Sequence, residues 1–138
     1  MEARTRSAFL ALVLVQAAHS IEEYVSGLHE VFAPARFVSG LVGGDADLGF
    51  IILNAAVLAF GAWCYFARVR PGHASAAAWM WPWVLVELVN GAVHSTMVVV
   101  RGGYFPGAVT APILFALALF LAARLLRSDK RRAVPVDE

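Results

Sequence analysis

The chain has 138 residues, 60% of them hydrophobic and 15% charged, with a formal net charge of +1 and a mean hydropathy of +0.70. That is too apolar for a soluble domain of this size, and a charge so near zero gives no electrostatic footprint for nucleic acid. The single Cys64, inside an apolar run, excludes an intrachain disulfide.

Four apolar blocks follow one another at residues 7–25, 48–67, 77–100 and 107–126. Each approaches the ~20 residues that carry a helix across ~30 Å of hydrocarbon, and only helices satisfy their own backbone there. The expected fold is all-α: a four-helix transmembrane bundle over residues 1–127, followed by a charged, unstructured tail at 128–138. Arg4 and Arg6, with Val15-Gln16-Ala17 beyond the first apolar core, resemble a secretory leader. The block is nevertheless read as a retained span, because it carries His19.

Basic residues set the expected orientation. Nine of the eleven Lys and Arg fall on one side of the bundle, leaving only Arg36 and Arg101 on the other. The positive-inside rule then places both termini in the cytoplasm, in an integral protein of the inner membrane.

The connections are uneven. The first, residues 26–47, is the longest, and its middle from Glu30 to Val42 is expected to form a short helix on the outer surface. The second, Arg68 to His73, is a short cytoplasmic turn, and the third, Gly102 to Gly107, is a tight outer turn rich in Gly and Pro. His29, Glu30 and His73 read as solvated loop positions. Trp79, Trp81 and Trp83 read as an interface belt. The basic tail suits anionic lipid headgroups.

The chemistry sits in the polar residues of the spans. His19, Glu22 and Glu23 share an arc of roughly 100° on the first helix, and Glu87, Asn90 and His94 an arc of about 60° on the third. Arg101 continues that second stripe. Alternating helix directions bring Asn54 and the loop residue Tyr104 to the same outer level, and the inner half of the spans carries no ionisable group. A transport path, which needs ionisable groups at several depths, is therefore disfavoured.

Three carboxylates and two imidazoles suit one or two metal ions. In this reading His19, Glu22, Glu23, Glu87 and His94 are the metal ligands, with zinc or iron as the cofactor and manganese also compatible. Glu22, Glu23 and His94 are the catalytic candidates. Asn54, Asn90 and Tyr104 would bind substrate or support the ligands. His-Glu-x-x-His is absent, so this is not the metalloprotease signature. A metal-free alternative uses the same atoms: paired Glu22 and Glu23 resist ionising together, and with His94 or His19 as relay they form an acid–base pair for isomerising or cyclising a lipid.

The run His19-Ser20-Ile21-Glu22-Glu23 resembles the signature of the HXXEE domain family of small bacterial and archaeal membrane proteins. Asn54, the Glu87-Asn90-His94 set and Tyr104-Phe105-Pro106-Gly107 are consistent with it, so the resemblance covers about residues 8–125. It implies the four-span fold and the polar site, and no particular reaction.

The expected function is that of an integral membrane enzyme acting on a lipid-soluble acyl or terpenoid-like substrate that enters between helices. A non-catalytic lipid-binding or scaffold protein is the further alternative. Four helices enclose little volume, which is compatible with a pocket shared across a homodimer.

Overall fold

The computed structural model describes the backbone of residues 1–133 and side chains as far as Ser128. Among these residues six α-helices follow in order: α1 (Ala3–Val25), α2 (Leu28–Val31), α3 (Ala33–Gly43), α4 (Ala46–Cys64), α5 (Ala76–Arg101) and α6 (Ala111–Ala133). A π-helical turn, Tyr65–Val69, continues α4. Among the described residues there is no strand. Four helices, α1, α4 with its π-helical turn, α5 and α6, are long and apolar enough to cross a membrane.

Several boundaries depart from the expectation, each for a local reason. The surface helix between the first two spans is two helices, because Phe32 is extended (φ −117°, ψ 104°) and Pro34 opens a new first turn. Asp45 caps α4 by accepting from the Asp47 N–H at 2.9 Å. The fourth span starts at Ala111 rather than residue 107: Gly107 has φ +85° and breaks the helix. At the other end α6 runs on to Ala133, since Ala, Leu and Arg are good helix formers. The first part of the expected unstructured tail is thus helical, and residues 134–138 lie outside the described residues.

Helix α1 packs against both α4 and α6, and α5 packs closely on α6. A Cβ at Gly91 would lie 2.6 Å from Phe115 Cβ, so only glycine lets α5 and α6 approach this far. Helices α4 and α5 touch sparingly, and a lateral groove opens between them beneath α2 and α3.

Two apolar clusters enclose a polar layer. The larger holds Phe9, Leu12, Met80, Trp83, Leu114 and Leu121; the smaller, at the loop end, holds Leu28, Phe50 and Phe105. Trp83 corrects the expected belt. It is 3% exposed and meets Phe9 edge-on at 6.2 Å, because it continues the face of α5 that buries Met80 and Glu87. His29 is also not a solvated loop residue. It is buried against the rings of Tyr24 and Phe50, which also stack on each other at 6.2 Å, and pairs with Asp47.

Candidate functional site

The buried residues of α1 form one stripe: Thr5, Phe9, Leu12, Val13, Gln16, His19, Ser20 and Glu23. Their spacings of three and four put them on the face turned into the bundle. Helix α5 answers with Glu87 and His94, both buried. The site is where the polar ends of these two stripes meet.

At its centre is Glu23. Its Oε1 lies 3.1 Å from His19 Nε2 and 3.1 Å from His94 Nε2. The two imidazoles stand edge-to-face with centroids 4.8 Å apart. His19 is 0%, His94 4% and Glu23 7% exposed, so water does not dilute their interaction. These three residues each offer a ligand atom within 4.8 Å of the others.

The loop before α6 fixes which ring nitrogens carry protons. His94 Nδ1 is 2.6 Å from the Pro106 carbonyl oxygen, and a carbonyl only accepts, so Nδ1 donates. His19 Nδ1 is 2.7 Å from Thr110 Oγ1, whose hydroxyl hydrogen is committed to Glu22 Oε2 at 2.5 Å. Thr110 therefore accepts from His19, and His19 too carries its proton on Nδ1. In the neutral rings both Nε2 lone pairs then face the Glu23 carboxylate. Three acceptors converge on one small volume, and His19 Nε2 is buried without a hydrogen-bond partner. Only a proton or a cation between them relieves that arrangement.

Gly107 makes this approach feasible. A Cβ there would stand 2.6 Å from both His19 Cε1 and His94 Nδ1, and its φ of +85° suits glycine alone.

Glu22 is placed differently from its sequence neighbour. Read from the sequence as a catalytic carboxylate and metal ligand, it turns instead to the α5–α6 connection. Oε1 accepts from Tyr104 Oη at 2.9 Å and the Val109 N–H at 3.0 Å. Oε2 accepts from the Thr110 N–H at 3.0 Å as well as from its hydroxyl. Four donors occupy it, which makes it a staple between α1 and the start of α6. Tyr104, expected to orient substrate, is one of those donors.

Glu87 lies one layer toward the chain termini, outside the three-residue cluster. Asn90 Nδ2 donates to its Oε2 at 3.3 Å. Turned with its nitrogen toward α5, the Gln16 amide lies 3.1 and 3.2 Å from the two carboxyl oxygens. Ser20 Oγ donates to Asn54 Oδ1 at 2.6 Å, and Asn54 Nδ2 to the Phe50 carbonyl, so Asn54 ties α4 to α1. Gln16, Ser20, Pro106, Gly107 and Thr110 were not singled out as site residues by sequence reasoning. The first two were readable, since they share the stripe of His19 and Glu23. The other three depend on how the loop folds back.

Glu23, Glu87, Asn90, His94 and Gln16 all line the groove between α4 and α5, a space of about 650 Å³ whose walls are otherwise apolar. Comparison with family models, with curated proteins and with solved structures finds no match to this chain.

Proposed function

We propose that this chain is a membrane-embedded metalloenzyme in which His19, His94 and Glu23 hold one metal ion, and that its substrate is lipophilic and enters through the α4–α5 groove. The observation that carries this reading is the convergence of two Nε2 lone pairs and a carboxylate, with both Nδ1 protons already committed to Thr110 and Pro106. Two imidazoles oriented by hydrogen bonds and one carboxylate are the donor set of a catalytic zinc site, which keeps its fourth position open. Tetrahedral zinc with bonds of about 2.0–2.1 Å separates neighbouring ligand atoms by roughly 3.3–3.4 Å. The 3.1 Å spacings here are close to that. Iron fits the same donors.

Such an ion would supply Lewis-acid polarisation of a carbonyl or an activated water. The residues of the chain do the rest. His94 and Glu23 border the groove and would present a held ion to incoming substrate, while fully buried His19 closes the back. Apolar groove walls favour an acyl or isoprenoid chain over a water-soluble substrate. The charge asymmetry of the loops supports cytoplasmic termini, and the His19–Glu23 run supports kinship with the HXXEE membrane proteins.

A second reading shares the central observation: a proton, rather than a metal, sits between Glu23 and the imidazoles and serves acid–base isomerisation. Elemental analysis of protein purified without chelator separates the two. About one zinc or iron per chain, lost in His19→Ala and Glu23→Ala, is expected. Less than roughly 0.2 ion per chain after reconstitution, against the single ion that such a three-ligand set holds, would sink the metal reading.

A further inference from the structure

The layer beneath the three-residue cluster offers no ligand atom to it. Glu87 is 1% exposed, yet the donors within its reach are two amides: Asn90 and, with its nitrogen turned toward α5, Gln16. Among the described residues no Lys or Arg pairs with it. A carboxyl group accepts at more positions than those amides fill, and Glu87 borders the groove. Burying it there is unfavourable unless a donor completes its hydrogen bonds. The walls beside it are Val57, Leu85, Val86, Val89 and Val93, so a donor that reaches Glu87 arrives on a hydrocarbon chain.

The spacing sets a length. Glu87 and His94 are seven residues apart on one helix, roughly 10 Å of axial rise. A ligand with its head group at the cluster therefore passes Glu87 at about mid-chain.

We propose that Glu87, held by Asn90 and Gln16, is a second polar subsite that accepts a hydroxyl on the hydrocarbon chain of the ligand whose head group lies at His19, Glu23 and His94. The ligand class is then a single-chain amphiphile hydroxylated roughly 10 Å from its head. This rests on the reading of the cluster as a metal centre open to the groove. A site built to hydrogen-bond a hydroxyl discriminates strongly against the analogue that lacks it, because its own polar group is left unfilled.

The test is calorimetric titration of zinc-loaded protein in lipid nanodiscs with octadecanoate and with octadecanoate hydroxylated at mid-chain. The hydroxy acid is expected to bind about tenfold more tightly, as one hydrogen bond to a carboxyl group implies. Glu87→Leu should bring the ratio near one, by lifting the penalty that the unfilled carboxyl group imposes on octadecanoate, while zinc content stays at the wild-type level. Asn90→Ala, which removes one of the two amides that hold Glu87 and keeps the carboxyl group, should reduce the ratio at least about threefold and decides the matter should the leucine variant not fold. His94→Ala should weaken both acids alike and preserve the ratio. A wild-type ratio near one, or a preference that survives in folded variants at Glu87 and Asn90, overturns the subsite. Zinc-independent binding of both acids with the hydroxyl preference intact would overturn the metal reading and leave the subsite standing.

Discussion

His94 Nδ1 lies 2.6 Å from the carbonyl oxygen of Pro106, and this contact joins the α5–α6 connection to the polar layer. Thr110 does the same for His19. Both imidazoles are thereby held in the tautomer that turns Nε2 toward Glu23. The connection is more than a turn: it presses against the site from the loop end and sets its electrostatics. Glu22 anchors that connection from α1, so adjacent carboxylates act on opposite sides of one piece of backbone.

Gly107→Ala is the sharpest probe of the loop. The new methyl group would meet both imidazoles at 2.6 Å, on a backbone with φ +85°. Backbone strain and overpacking together should destabilise the protein by about 2–4 kcal/mol. Metal content should fall in parallel, because the rings must move. Gly72→Ala is the control, with φ +72° and open space around it. It should cost only about 1 kcal/mol and leave metal content unchanged. Thermal melts with elemental analysis read both; normal metal content in a folded Gly107→Ala would show that the loop does not position the rings.

Glu22 and Glu23 should separate cleanly on substitution. Glu22→Ala removes an acceptor from four donors and should lower stability by about 2–3 kcal/mol, discounted for its partial exposure. Its metal content should be preserved. Glu23→Ala should abolish metal binding instead. Equal loss of metal in the two variants would place Glu22 among the ligands after all.

Much of this was legible. Four helices with the lengths seen here follow from apolar blocks of about 20 residues. The pairing of His19 with His94 followed from helix direction. The division of labour between the carboxylates was also written in α1, because Gln16, His19, Ser20 and Glu23 lie within roughly 60° of one direction while Glu22 points roughly 120° from it. Treating Glu22 and Glu23 as one pair hid it. The start of α6 was signalled too, by Thr110 and by Pro112 in the first turn. The partners of Thr110 and Pro106 were not, since they join positions 91 and 12 residues apart through the fold of an irregular loop. His29 escaped for a similar reason. A histidine in a connection reads as solvated until Tyr24 and Phe50 are known to pack against it.

That buried histidine holds down the roof of the groove. His29 pairs with Asp47 at the start of α4, and Arg101 donates to the Val31 carbonyl at 3.0 Å from the end of α5. Leu28, Phe32 and Val38, on or beside α2 and α3, line the groove below. His29→Ala removes both the pair and the buried ring packed against Tyr24 and Phe50, and should cost about 2–4 kcal/mol. The loss should be local. Hydrogen exchange should accelerate across residues 28–43, with α5 and α6 unaffected and metal content retained. Uniform acceleration through α6 would mean that the roof and the bundle form one cooperative unit.

Access through the groove can be tested apart from the chemistry. Val89 lines the groove and is 64% exposed, so a larger side chain there meets little protein. Val89→Trp should therefore change stability by no more than about 0.5 kcal/mol. An indole at that point fills space a hydrocarbon chain would otherwise occupy, and octadecanoate affinity should drop about tenfold or more at unchanged metal content. Val99→Trp gives the comparison: Val99 is 80% exposed on the same helix but does not line the groove, and its replacement should leave affinity unchanged. Should Val89→Trp bind the acid as well as wild type while His94→Ala does not, the ligand reaches the cluster by another path. The loop end, where Tyr104 is 59% exposed above Glu22, would then be the route to examine.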